Sequence, residues 1–145
     1  MPTDHRRVRP AEFRPTLFLV RGAPGSGKSR LARIIAPGAC YSADDFFDRL
    51  AMEQASTYEE VWKPSLLKAA HEECFQKVCA AMAPRCPRIS VHNTMTTLEE
   101  LDKYRTLASE NGYITNVIRM ENDFGNVHGV PRPKVIEMRD RMEKA

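Results

Sequence analysis

The chain has 145 residues, 42% of them apolar and 28% charged, with a formal net charge of +3. That length holds one hydrophobic core and leaves no room for a large second domain. No apolar run is long enough to span a bilayer, and Met1–Pro15 is polar and basic without the apolar centre of a secretory leader, so a soluble cytoplasmic protein is expected.

Arg6, Arg7, Arg9 and Arg14 crowd the amino terminus, and residues 1–15 read as a basic tail, either solvated or a nucleic-acid arm. Residues 16–145 read as one domain. Thr16–Arg21 is a short apolar run rich in β-formers and fits a buried parallel strand. Gly22–Gly27 breaks that pattern. Ser29–Ala36 then reads as a helix with Leu31, Ile34 and Ile35 at helical spacing, stopped by Pro37-Gly38. Ala39–Tyr41 is a second strand. Ser42 is a candidate cap for the next helix, with Asp44 and Asp45 in its first turn and Phe46, Phe47 and Leu50 as its apolar face. Gln54–Lys63 carries no clear pattern.

Pro64 suits the first turn of a long helix to about Ala83, along which Leu67, Ala70, Cys74, Val78 and Ala81 recur at three- and four-residue steps. Arg88–His92 is the third strand. Thr97-Leu98-Glu99-Glu100 is a capping-box pattern opening a helix with Leu98, Leu101, Tyr104 and Leu107 on one face, closed by Asn111-Gly112. Tyr113–Met120 is the fourth strand, Glu121–Val130 a loop, and Pro133–Lys144 a final helix. Strands alternating with helices imply an α/β fold: a small parallel sheet of about four strands with helices on both faces. Cys40, Cys74, Cys79 and Cys86 form no C-x-x-C pair and no zinc pattern with the histidines, so reduced structural thiols are expected.

Gly22-Ala23-Pro24-Gly25-Ser26-Gly27-Lys28-Ser29 matches G-x-x-x-x-G-K-[ST] in full, between an apolar strand and an amphipathic helix. The glycines permit backbone angles that aim successive N–H groups at phosphate oxygens, and the following helix adds its positive dipole end. Lys28 supplies a point charge for the β- and γ-phosphates, and the Ser29 hydroxyl is a ligand for Mg²⁺. Gly22 through Ser29, with Arg30, are the candidate nucleotide-binding residues, for ATP or another nucleoside triphosphate.

The loop does not reveal the phosphoryl acceptor. In open α/β sheets the chemistry gathers at the carboxyl ends of the strands. There the chain has Ser42-Ala43-Asp44-Asp45, where a carboxylate either takes a proton from an incoming hydroxyl or merely caps the helix. His92-Asn93-Thr94-Met95 ends the third strand beside the loop, with polar groups suited to Mg²⁺-bound water or substrate, or to an ordinary turn.

With these residues in hand, the chain resembles the polynucleotide 5′-hydroxyl kinase-like P-loop kinases, of the phage polynucleotide kinase type, from about Thr16 to Lys144. The carriers are Gly22–Ser29, S-A-D-D-F-F at Ser42–Phe47, H-N-T-M at His92–Met95 and N-V-H-G-V at Asn126–Val130. The resemblance implies transfer of the γ-phosphoryl group of ATP, with Mg²⁺, to a 5′-hydroxyl of nucleic acid. Asp44 matches the family's general base, Lys28 and Ser29 its phosphate and magnesium residues, and Thr94 a residue contacting substrate phosphate. Asp45, Arg49 and Asn93 join Thr94 as candidate substrate-binding residues.

The chain departs from the family in three places. Phe47 stands where the family has an arginine three residues after the base, with Arg49 the nearest substitute. His92–Met95 lacks a carboxylate and a terminal Asn. Glu121–Gly125 is too short for the family's arginine-bearing lid helix, which leaves Arg119, Arg132 or Arg139, or else the substrate or a partner subunit, to supply that charge.

The reading is therefore a kinase of a nucleic-acid hydroxyl, foremost a 5′ end, requiring no membrane. The alternatives are a kinase of a hydroxymethylated DNA base, of a nucleoside or of a small metabolite, and a nucleotide-binding module with little catalysis.

Overall fold

The computed structural model describes residues 14–122 and 130–144. Thr16–Gly22 forms strand β1, and its Leu17, Leu19 and Val20 are wholly buried. A strand apolar on both faces belongs in the middle of a parallel sheet, and there it lies. β3 (Arg88–Asn93) pairs with it on one side and β4 (Ile114–Met120) on the other. The short β2 (Cys40–Tyr41) pairs with β3. All pairings are parallel, in the order β2-β3-β1-β4.

Helices cover both faces, as the alternation of elements implied. α1 (Lys28–Ile35) lies on one face, where the Ser90 hydroxyl of β3 donates to the Ala32 carbonyl at 2.9 Å. α4 (Leu67–Met82) and α5 (Leu98–Glu110) cover the other. Cys74 and Val78 of α4 and Leu101, Tyr104 and Leu107 of α5 share one core with Leu17, Leu19, Ile89 and Val91. Removing one such aliphatic side chain from water contributes about 1.5–3 kcal/mol. The capping box is present: Glu100 N–H donates to Thr97 Oγ1 at 3.3 Å and Thr97 N–H to the Glu100 carboxylate at 3.4 Å.

A second small core joins Phe47 and Ala51 of α2 (Asp44–Glu53), Val61 of α3 (Tyr58–Val61) and Ala70 of α4. Segment α3 falls in the stretch without a clear pattern. It forms because Thr57 caps it, accepting from Glu60 N–H, and because Tyr58 packs edge-on to Phe47 at 5.6 Å.

The expected long helix from Pro64 is two pieces, a 3-10 turn at Pro64–Leu66 followed by α4. In α1 the buried residue is Ala32, whereas Ile34 is 68% exposed, so the expected apolar face is rotated. Leu98 is likewise left 37% exposed. The last helix, α6 (Arg132–Arg141), stops short of Lys144 because Met142 turns extended to bury its side chain. Glu143 N–H then donates to the Thr96 carbonyl at 2.8 Å. The expected loop Glu121–Val130 lies mostly outside the described residues. Cys40, Cys74, Cys79 and Cys86 are unbridged. No helix among the described residues is long and apolar enough to cross a membrane.

Candidate phosphoryl-transfer site

The loop between β1 and α1 follows its sequence. Gly25 at φ 83° and Gly27 at φ 92° take the left-handed conformation that L side chains resist. Gly22 is small for another reason: a Cβ there would lie 2.8 Å from the Met120 carbonyl oxygen. Ser26 is buried, and its Oγ has no hydrogen-bond partner among the described residues. An orphaned buried hydroxyl in a loop of inward backbone donors fits an anionic ligand with oxygens to share. The Lys28 ammonium is half-buried and rests on the Ala23 carbonyl at 3.2 Å. Burial pushes its pKa down, against the pull of Asp44. Pro24 is half-buried, Ala23 is buried and Arg30 is exposed.

β3 beside β1 puts Val20 opposite His92 and Arg21 opposite Asn93. His92, named in the sequence only as one of several polar groups, is buried, with Nδ1 3.2 Å from Ser29 Oγ. Burial lowers its pKa; Asp45 and Asp44 oppose, and Lys28 and Arg33 add. The imidazole is therefore neutral at physiological pH. With its proton on Nε2, the Ser29 hydroxyl donates to it and keeps its own lone pairs for a cation. The described residues contain no cluster of three or more His, Cys, Asp or Glu suited to a metal. A magnesium here would take Ser29 plus phosphate and water oxygens, which suits its reluctance to dehydrate.

On the acceptor side, the turn into α2 is knitted by its own polar residues. The N-cap of α2 is Ala43, not the expected Ser42; Ser42 sits one residue earlier, where its Oγ accepts from Asp44 N–H at 3.1 Å, and Asp45 Oδ2 accepts from Ser42 N–H at 2.9 Å. Asn93 Oδ1 accepts from Ala43 N–H at 2.8 Å and from Ser42 Oγ at 3.2 Å. Asp45 and Asn93 thus hold the turn that carries Asp44. Asp44 Oδ1 in turn accepts from the Tyr58 hydroxyl at 2.6 Å. Burial, then the Asp44 bond, drives the Tyr58 pKa far above its ordinary value, so the phenol stays a donor. Tyr58 was missed in the sequence; the signal was Thr57 followed by Glu60, a capping pattern, with aromatics at 58 and 62 on one helical face.

The fold therefore gathers Lys28, Ser29, His92, Asp44 and Asp45 within mutual electrostatic reach. Arg49 points elsewhere. It pairs with Glu73 of α4 at 2.7 Å and lies over the Phe46 ring. Thr94 is half-buried, and its carbonyl accepts from Gly22 N–H at 3.3 Å. Arg119 pairs with Glu121 at 3.3 Å, while Arg132 and Arg139 lie on α6. Arg6, Arg7, Arg9 and Asn126–Gly129 are outside the described residues.

A parallel sheet, a glycine-rich loop opening α1 and a carboxylate across from it define a P-loop kinase-like domain. The family described as "AAA domain" (AAA_33) matches residues 17–123, and the chain belongs to it. Among solved structures, it is similar to a candidate kinase of Chloroflexus aurantiacus, with a TM-score of 0.60 at 17% identity over 75% of this chain and 60% of that one. It is similar also to a chain of the Pnkp1/Rnl/Hen1 complex, with a TM-score of 0.58 at 19% identity over 89% of this chain and 40% of that one. A chain of the AvrRxo1-ORF1:AvrRxo1-ORF2 assembly with sulphate ions gives a TM-score of 0.54 at 19% identity over 74% of this chain. The present chain spans 60% of the first of these proteins and 40% and 37% of the other two.

Proposed function

We propose that this protein is a kinase that transfers the γ-phosphoryl group of ATP to a hydroxyl of nucleic acid, foremost a 5′-hydroxyl end. The carrying observation is Asp44: a carboxylate oriented by Tyr58, set across from the phosphate loop and within the field of Lys28. A module that only bound nucleotide would have no use for an oriented carboxylate there.

In this reading the loop N–H groups and Lys28 hold the triphosphate. Ser29 would hold Mg²⁺, which would supply charge neutralisation for the phosphates. Asp44 accepts the proton of the acceptor hydroxyl as its oxygen bonds to the γ-phosphorus; the bond from that phosphorus to the β-γ bridging oxygen breaks, and ADP leaves. Asp45 and Asn93 act through the turn. The nucleic-acid acceptor is supported by the resemblance carried by Ser42–Phe47 and His92–Met95, and by the basic amino terminus.

The test is transfer from labelled ATP to a panel: 5′-hydroxyl DNA, 5′-hydroxyl RNA, hydroxymethylated duplex DNA, free nucleosides, and water alone. Preferred labelling of 5′-hydroxyl strands, falling steeply with salt as phosphate contacts weaken, is the expected result. Equal rates on nucleosides and strands without a salt slope would leave a small-molecule kinase. Labelling of none, with triphosphate still bound, would leave a binding module.

A further inference from the structure

Arg21 is a wholly buried arginine in the central strand, one residue before the phosphate loop. Side chains alternate along a strand, so Arg21 shares the face of Leu17 and Leu19, which pack against α4 and α5. That is the face opposite α1. Its Nε and Nη2 donate to the Met95 carbonyl at 3.0 and 2.6 Å, and Nη1 donates to the Glu143 carbonyl at 2.5 Å. Carbonyls satisfy its donors without neutralising its charge. Met95 takes a left-handed φ of 48° in presenting that carbonyl.

Beside Arg21, between α5 and the outer strand β4, lies an open cavity of about 610 Å³. Its wall carries Arg21, Arg105, Arg119 and Lys144, together with Thr115 and Asn116, and no carboxylate. Arg105 pairs with Asp102 at 3.2 Å and Arg119 with Glu121 at 3.3 Å, both through exposed carboxylates outside the wall. Such surface pairs hold weakly against a better anion. Burial, then Arg119, pushes the Arg21 pKa below its ordinary value, and Arg105 adds to this although Glu100 and Glu143 oppose. The cations therefore crowd one another, an arrangement a bound anion would relieve.

We propose that this cavity is a second anion site, which binds phosphate groups on the face of the sheet opposite α1. The chemistry favours phosphate over a carboxylate. Arg105, Arg119 and Lys144 line one space beside the buried charge of Arg21, and a phosphate offers several oxygens and more than one charge to match them. Thr115, on the same face of β4 as Arg119, adds a neutral hydroxyl. The volume suits a group of nucleotide size. The same chemistry could come from a free phosphate compound or from a nucleic-acid backbone. The site goes beyond the proposed reaction, because it uses none of Lys28, Ser29 or Asp44 and predicts binding while the phosphate loop is filled.

The test is a binding titration on the full chain with the loop saturated by a non-hydrolysable ATP analogue and Mg²⁺. The probes are inorganic phosphate, pyrophosphate and a short 5′-phosphorylated single strand that cannot act as an acceptor. The unmodified chain should bind at least one probe, and Arg105→Ala/Arg119→Ala should weaken it about tenfold or more with the melting temperature little changed. Lys144→Ala, in the exposed tail, should weaken it less and serves as the second variant should the first unfold. Tighter binding of the strand, with a salt slope falling by about 0.7 for each contact removed, identifies a backbone ligand. Binding of phosphate or pyrophosphate but not the strand identifies a free phosphate compound. Absence of binding, binding abolished by the ATP analogue, or equal affinity in the folded variants would overturn the proposal. Failure here leaves the kinase assay unaffected, and a failed kinase assay leaves this titration unaffected.

Discussion

Replacing Tyr58 by Phe removes one oxygen from the site. The ring keeps its edge-on contact with Phe47 at 5.6 Å, so α3 should stay packed. What goes is the 2.6 Å bond to Asp44 Oδ1. Two effects then oppose each other. The carboxylate loses a partner that fixes its orientation, which slows transfer. It also loses a donor that competes with the acceptor hydroxyl, which speeds transfer. An ionised carboxylate has about four acceptor positions, so Tyr58 leaves room for a substrate hydroxyl, and the orienting effect should win. A hydrogen bond to a charged group contributes about 1.5–3 kcal/mol. Both residues are half-buried, which favours the lower end, near 1.5 kcal/mol and so roughly tenfold in rate.

The predicted result is a kcat reduced about tenfold with KM for ATP unchanged. The phenol, its pKa raised by burial from the ordinary 10.0, donates throughout the working range. Its contribution to stability is complete below that ordinary value and declines only at higher pH, so the ratio of mutant to parent rates should be flat near neutrality. Steady-state transfer kinetics on the best acceptor from the panel, at several pH values, measures this. A higher kcat in Tyr58→Phe would refute the reasoning, because the phenol would then be a competitor of the substrate. An unchanged kcat would show that other contacts orient Asp44.

Lys28→Ala should abolish triphosphate-dependent activity with the circular dichroism spectrum intact, since the ammonium contacts a loop carbonyl and no part of the apolar core. Asp44→Asn should lower kcat about 10²-fold or more while ATP affinity holds; Asp45→Asn should instead lower the melting temperature through its bond to Ser42, and the reverse pattern would move the base to Asp45. Gly22→Ala should cost about 1–3 kcal/mol by overpacking against the Met120 carbonyl 2.8 Å away, and should remove the thermal stabilisation by Mg·ATP that is expected of the parent. His92 has a folded pKa below its ordinary 6.5, so the unfolded chain binds its proton first as pH falls; stability should be full above that value and decline below it, and His92→Gln should shallow the decline in melting temperature.

The phosphate loop was legible because its chemistry is local. Gly25, Gly27, Lys28 and Ser29 follow from backbone angles and charges within one turn of chain, and Gly25 and Gly27 take the left-handed angles that pattern requires, whereas Gly22 answers to the distant Met120 carbonyl. The strands were legible for a similar reason, as runs of β-formers bounded by glycine and proline, and the Thr97 cap depends on only four residues. The tail of α6 was not legible. Its end is set by Thr96 and Arg21, far away in sequence, which capture Glu143. Ile34 was misread because periodicity locates an apolar stripe but not the side on which the sheet lies. Three placements were likewise decided in three dimensions: Tyr58 on Asp44, His92 on Ser29, and Arg105 and Arg119 along one cavity beside a buried Arg21. The sequence supplies the charges and the turns that begin and end its elements. Which charges face one another depends on the strand order β2-β3-β1-β4, and that order is settled by burying the apolar faces of non-local segments together, a collective effect no short window contains.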